Sequence, residues 1–225
     1  MSETRVPSSH AELRDTEPAI SPPAAAPDIA IGDPGPLGLA GFAMTTFVLS
    51  VFNTNLLSSK YEATVFGLAL FYGGGAQLLA GMWEFRKGNT FGALAFSSFG
   101  AFWLAFWFYV AHIVPTLPAA DANKATGVFL LAWTIFTAYM TIASLRTTGA
   151  VAAVFVALTL TFLFLFLCIG AFADSTGWTK VGGWAGFVTA AVAWYASFAG
   201  VTNSTFKRTV LPTWPLASVA MSHRR

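Results

Sequence analysis

Charge is what this sequence has least of. Only 10% of its 225 residues are Asp, Glu, Lys or Arg, against roughly a quarter in an ordinary soluble domain. The few charges are clustered, so uncharged and mostly apolar stretches of about 18 residues or more recur along the chain. With 56% hydrophobic residues and a mean hydropathy of +0.64, this excludes a soluble fold and indicates an all-α integral membrane protein. Cysteine is almost missing too. The single Cys168 lies inside an apolar run, so it excludes an intramolecular disulfide and reads as a buried structural thiol. No Cys/His cluster offers a metal site, and haem and quinone chemistry find no ligand set. His112, at a helix end beside Pro115, reads as structural. No grouping of nucleophile, base and orienting residue suggests an enzyme, and no cofactor is expected. A net charge of +2 is too small to suggest a nucleic-acid partner. The N-terminus lacks the basic region and apolar core of a signal peptide. Residues 1–32 instead mix Glu3, Arg5, Glu12, Arg14, Asp15 and Glu17 with Pro, Ala and Ser. That composition predicts a disordered tail.

What is present is six apolar segments, at 37–57, 62–85, 91–113, 126–145, 150–173 and 182–202. Each has the roughly 20 residues that cross a bilayer as a helix. The breaks between them are short and rich in Gly, Pro, Ser, Asn or charge. The least marked is at Arg146 and Gly149. The organisation is then a tail at 1–32, a six-helix transmembrane domain at 33–206 and a C-terminal tail at 207–225. Basic residues set the orientation. With the N-terminus inside, nine of the twelve lie inside: Arg5, Arg14, Arg86, Lys87, Arg146, Lys207, Arg208, Arg224 and Arg225. Lys60, Lys124 and Lys180 lie outside. Both termini are therefore expected in the cytoplasm. Gly92, Phe96 and Trp103 in the third segment echo Gly183, Phe187 and Trp194 in the sixth, which admits two inverted three-helix halves.

Intramembrane charge usually marks proton relays or ion sites. Here only Glu84 and Asp174, both at segment ends, come close. Glu84 precedes Arg86 and Lys87. A solvated ion pair is one reading of it, and proton coupling is the other. The segments offer neutral polarity instead: Thr45, Thr46, Ser50, Asn53 and Asn55, then Tyr72 and Gln77, Ser97 and Ser98, and Thr189, Tyr195 and Ser197. Such groups can replace part of a small solute's hydration shell or tie helices together. Gly73, Gly74 and Gly75 are consecutive. They weaken a helix by about 1 kcal/mol each, so close packing, a cavity wall or a broken helix must explain them. The stretch D-P-G-P-L-G-L-A-G-F at 33–42 reads as a helix start, with Asp33 as N-cap and Pro34 or Pro36 in the first turn.

Four longer stretches then carry a resemblance: D-P-G-P-L-G-L-A-G-F-A-M-T-T at 33–46, F-Y-G-G-G-A-Q-L-L-A-G-M-W-E-F-R-K-G-N-T-F-G at 71–92, F-G-A-F-W at 99–103, and T-F-K-R-T-V-L-P at 205–212. Over roughly residues 33–212 the chain resembles the acetate-uptake transporter family, also called the succinate–acetate permeases. The resemblance implies a six-helix subunit in the plasma (inner) membrane, assembled as a ring-like homo-hexamer within membrane lipid. Each subunit would carry a pathway for acetate and related short carboxylates. Family members are described both as proton-coupled symporters and as anion channels. Pro34, Pro36, Leu37, Gly38 and Leu39 match the N-terminal signature. Asp33 and Gly35 stand where the family usually has Asn and Ala. The family's constriction of Phe, Tyr and Leu maps onto Phe42, Phe99 and Leu160. Phe99 lacks the Tyr hydroxyl, and Leu158 is the neighbouring register for the Leu. The small residue that tunes substrate size maps onto Ala193, two before Tyr195.

The expected mechanism is passage of a short monocarboxylate past an apolar neck, with low affinity so that the solute can leave. Two other readings stay open. One is an ammonium, ammonia or other small-solute transporter. The other is a membrane sensor that binds a carboxylate without moving it, against which the short loops argue.

Overall fold

The computed structural model describes residues 31–167 and 176–216. The expected tail at 1–32 therefore lies almost wholly outside the described residues, as do Cys168 and Asp174. The helices belong to the unit that begins at Gly32. Among the described residues, six helical spans are long and apolar enough to cross a membrane. The first is α1 (Gly35–Asn53). The second strings together a 3-10 turn (Ser59–Thr64), α2 (Val65–Leu70), a π-helical turn (Phe71–Ala76) and α3 (Gln77–Lys87). The third is α4 (Thr90–Phe108), extended by a π turn (Tyr109–Ile113) and a 3-10 turn (Val114–Thr116). Then come α5 (Ala119–Ser144), α6 (Gly149–Phe166) and α7 (Thr176–Phe206).

Local chemistry sets the boundaries. Gly88 ends α3 at φ 79, a left-handed conformation that glycine adopts at little cost. Asn89 then starts α4 by accepting from the Gly92 N–H at 3.1 Å. Thr148 does the same for α6 through the Val151 N–H. The weakly marked break at 146–149 is thus a genuine helix start. The fourth span begins earlier than its apolar run, because Pro118 caps α5. Its first turn is polar and carries the Asp121–Lys124 pair at 3.6 Å.

The glycine triplet lies in the π turn. Gly73 has Thr45 against it and Gly74 has Leu104, each closer than a Cβ would tolerate. Across the same contact, a Cβ on Gly41 would sit 2.7 Å from the Tyr72 carbonyl oxygen. Close approach of α1 and α4 is therefore what offsets the helix penalty. The triplet lines none of the cavities described below.

Helix α7 packs along α1 and α6, α3 along α4, and α5 along α6. Hydroxyl groups tie several of these pairs. Thr141 meets Thr159 at 2.8 Å, Thr161 meets Thr189 at 3.0 Å, and the Ser197 hydroxyl donates to the Pro36 carbonyl at 2.7 Å. Spans two and three pack together as five and six do, which an inverted repeat requires, but span one lies along span six while three and four barely meet. After α7 the chain does not trail off. Residues 207–216 fold back as a strap toward the start of α6. The Gly149 and Ala150 N–H groups donate to the Trp214 and Thr213 carbonyls at 2.6 and 3.2 Å. These are orphan donors of a helix N-terminus, so the strap caps α6 from outside it. Tyr195 and Asn203 hold the strap from α7, through the Pro212 and Leu211 carbonyls.

Candidate functional site

Three cavities follow one another through the helix bundle, and neighbours share wall residues. At the end where α1 starts is a vestibule of about 490 Å3. At the end where α1 finishes is a chamber of about 280 Å3. Between them lies a space of about 20 Å3, room for roughly one water molecule. This neck shares Leu39, Ala95, Phe96 and Phe155 with the vestibule, and Phe42 and Leu158 with the chamber.

The vestibule gathers charge and hydrogen-bonding groups where five helix ends meet. Asp33, Glu84, Lys87, Asn89, Thr148 and Asn203 are in its wall. The Lys87 ammonium contacts Asp33 Oδ1 at 2.8 Å, and both side chains are partly exposed, at 39% and 44%. The same Asp33 oxygen accepts from the Gly35 N–H at 3.0 Å. The N-cap of α1 is Pro34, so Asp33 caps from one position before the expected one. With Pro34 and Pro36 lacking N–H groups, Gly35 is the first donor that needs a partner. Glu84 differs from the expected solvated ion pair. It is 1% exposed, and its Oε2 accepts from Asn89 Nδ2 at 2.8 Å. Among the described residues no basic side chain pairs with it, because Lys87 is turned to Asp33. Gly92 leaves the room it occupies: a Cβ there would lie 2.9 Å from the Glu84 carboxyl carbon.

The neck is aromatic. Phe99 is 3% exposed and its ring lies 5.8 Å from that of Phe42, 6.0 Å from Phe155 and 6.5 Å from Phe162. Trp133 and Phe136 back it at 5.9 and 5.4 Å. Ring pairs in this range reinforce one another beyond their buried area, so Phe99 is held from several sides. Among the described residues lining the neck, one side chain is polar: Gln77, 1% exposed, whose Oε1 has no partner in the protein. Buried polar atoms are nearly always bonded. One facing a conduit is suited to meet a passing water or solute.

The chamber is walled by Phe102, Trp103, Phe106, Phe129 and Phe162, with hydroxyls at Thr46, Ser50, Thr126 and Thr161. Thr46 Oγ1 and Trp103 Nε1 are both buried without a partner. Glu62 is the only charged residue among those described in its wall.

The expected site residues separate on this map. Phe42 and Phe99 are in the neck, Gln77 beside them, Thr46 in the chamber, and Asp33, Pro36 and Glu84 in the vestibule. Leu160 is corrected to Leu158. Leu160 is 44% exposed on the outer face of α6, whereas Leu158 is 4% exposed and faces both neck and chamber. Helical geometry turns residues two apart to opposite sides, and the Leu/Thr repeat hid that choice. Thr45 donates to the Gly41 carbonyl at 2.8 Å within α1 and packs on Gly73. Tyr72, Pro34, Leu37, Ala193 and Tyr195 line none of the three cavities. Leu37 is exposed, and Ala193 is in the core. Tyr195 spends its hydroxyl on Pro212 and stacks on Trp214 at 5.8 Å. Sequence reasoning missed Phe155 and Phe162, two of many aromatics, and the vestibule groups Lys87, Asn89, Asn203 and Thr213. The strap alone brings Thr213 there.

Known proteins share this architecture. The chain is 36% identical to a solved structure described as the bacterial acetate channel SatP, with a TM-score of 0.75 over 82% of this chain and 99% of that one. It is 40% identical over 184 residues to the succinate-acetate/proton symporter SatP of Escherichia coli (strain K12), covering 81% of this chain and 95% of the relative. It is also 40% identical over 192 residues to ammonia transport outward protein 2 of Saccharomyces cerevisiae, covering 83% of this chain and 66% of that relative. The sequence pattern of the GPR1/FUN34/yaaH family matches residues 16–218, so the six spans, the aromatic neck and the strap all fall within the match, and the chain belongs to that family.

Proposed function

We propose that this protein moves acetate and related short-chain carboxylates across the plasma membrane, through a pathway in each subunit of a homo-hexamer. The observation that carries the reading is the hourglass: two cavities opening toward opposite ends of the bundle, separated by a space of about 20 Å3 at Phe42, Phe99 and Leu158. The names of the SatP relatives support the solute class. The excess of Lys and Arg on one set of loops supports a vestibule that faces the cytoplasm.

The pathway works by exchanging hydration for protein groups in stages. In the vestibule a carboxylate keeps most of its water and meets hydroxyls and amides. At the neck it sheds water, its methyl group lies against aromatic rings, and Gln77 offers its carboxamide. In the chamber the Thr46 hydroxyl and the Trp103 N–H become donors for the carboxylate oxygens. None of these contacts is a tight charged clamp, which keeps affinity low and exit fast. Glu84 is the group placed to couple protons to this movement, since it is a buried carboxylate in the vestibule wall with a single neutral partner.

Purified protein in liposomes tests the reading with labelled acetate. Flux well above empty liposomes is expected, and folded protein that gives none would overturn it. Electrical recording under acetate, chloride and ammonium gradients tests the competing solute, which the name of the yeast relative favours. A current that follows the ammonium gradient alone would replace acetate with ammonium.

A further inference from the structure

We propose that the Asp33–Lys87 ion pair is a charge filter at the vestibule, setting the preference for singly over doubly charged carboxylates. The inference rests on the reading that this pathway carries carboxylates, and adds what selects among them. Among the described residues lining the vestibule, Lys87 is the one cation and Asp33 and Glu84 are the anions. An anion arriving from this end would find its natural partner in Lys87. That ammonium is already engaged, 2.8 Å from Asp33 Oδ1. Glu84 makes no direct ion pair, and with two carboxyl groups to one ammonium the wall opposes anions rather than attracting them.

The pair is built to act on solutes rather than to hold the fold. Both side chains are partly exposed, and a pair in that setting contributes little to stability. Asp33 is nevertheless held in place, because the same oxygen accepts from the Gly35 N–H. Its charge is therefore fixed at the mouth while remaining in contact with water. Coulomb energy scales with the product of charges. One added unit of repulsion therefore enters the local concentration once for acetate and squared for a dianion such as succinate.

Asp33→Asn removes the charge and keeps the oxygen that accepts from Gly35. Fluxes of labelled acetate and succinate are measured in liposomes at about pH 7, where both succinate carboxyls are ionised, and well below saturation. The expected gain is about 3-fold for acetate and about 9-fold for succinate, for a unit charge near the path in a mostly aqueous mouth. The succinate-to-acetate ratio should rise about 3-fold, and the gain should shrink as salt is raised. Lys87→Gln should lower the ratio by a similar factor. The double variant Asp33→Asn/Lys87→Gln carries the parent's net charge and should return to the parent ratio. An unchanged ratio in Asp33→Asn, or a double variant that does not revert, would overturn the filter while acetate flux by the parent leaves the transport reading standing. A parent that moves neither carboxylate would overturn the transport reading, and the filter with it. Gel-filtration profiles matching the parent confirm that each variant is folded.

Discussion

The vestibule and the chamber flank the same neck and differ most in the charge they carry. The vestibule holds three charged side chains and several amides and hydroxyls, supplied by helix ends and the strap. The chamber is walled by aromatic and aliphatic side chains, carries scattered hydroxyls, and has Glu62 as its one charged residue among those described. Charge is costly to place in the middle of a bilayer and cheap near its surface. The difference teaches where each kind of selection can be made. In the proposed pathway, charge is discriminated where water is still present, size at the neck, and the chamber supplies neutral hydrogen bonds on the far side.

The sharpest way to break this division is at the neck. Leu158→Trp should lower acetate flux by at least about tenfold, because added bulk has nowhere to go in a well-packed wall. Leu160→Trp, on the outer face of α6, should stay near the parent. Equal effects from the two would mean that the neck is not where flux is limited. Next come the two carboxylates. Glu84→Gln keeps an oxygen for the Asn89 N–H and removes the charge. It should abolish acetate-driven proton uptake, read with a pH-sensitive dye in the liposome lumen, while acetate exchange stays within about twofold. Proton uptake at parental level would remove Glu84 from coupling. Gln77→Leu should reduce acetate flux roughly tenfold, the loss of a hydrogen bond worth about 1 kcal/mol or slightly more. Its melting temperature should not fall, since the carboxamide oxygen has no partner in the protein. Smallest is Glu62→Gln in the chamber, expected to change acetate flux by less than about twofold. A selectivity change as large as that of Asp33→Asn would mean that charge is also filtered on the chamber side.

How much of this could be read from the sequence varies by element. The six spans were legible because each needs a long uncharged run, and no other part of the chain has one. The helix starts at Asn89 and Thr148 were not singled out, although each has a side-chain oxygen just before its apolar run. The rest turned on direction rather than composition. The register between Leu158 and Leu160 could not be resolved in a segment where Leu and Thr alternate and no charge marks a face. Glu84 looked solvated because Lys87 follows three residues later, one helical turn on. Only the fold shows Lys87 turned away to Asp33, 54 residues earlier in sequence. Residues 205–212 carried a recognisable motif, yet nothing local says that the strap caps a helix that begins near residue 149.

The sequence by itself determined that this chain crosses a membrane six times and that charge is kept out of the middle of those spans, because hydrophobicity and helix length are properties of single segments. The tertiary structure decided which residues share the conduit. It chose Leu158 over Leu160, buried Glu84, joined Asp33 to Lys87 and carried Thr213 into the vestibule wall. The reason is that a cavity belongs to several helices at once, and the face each helix turns toward it is set by packing between helices.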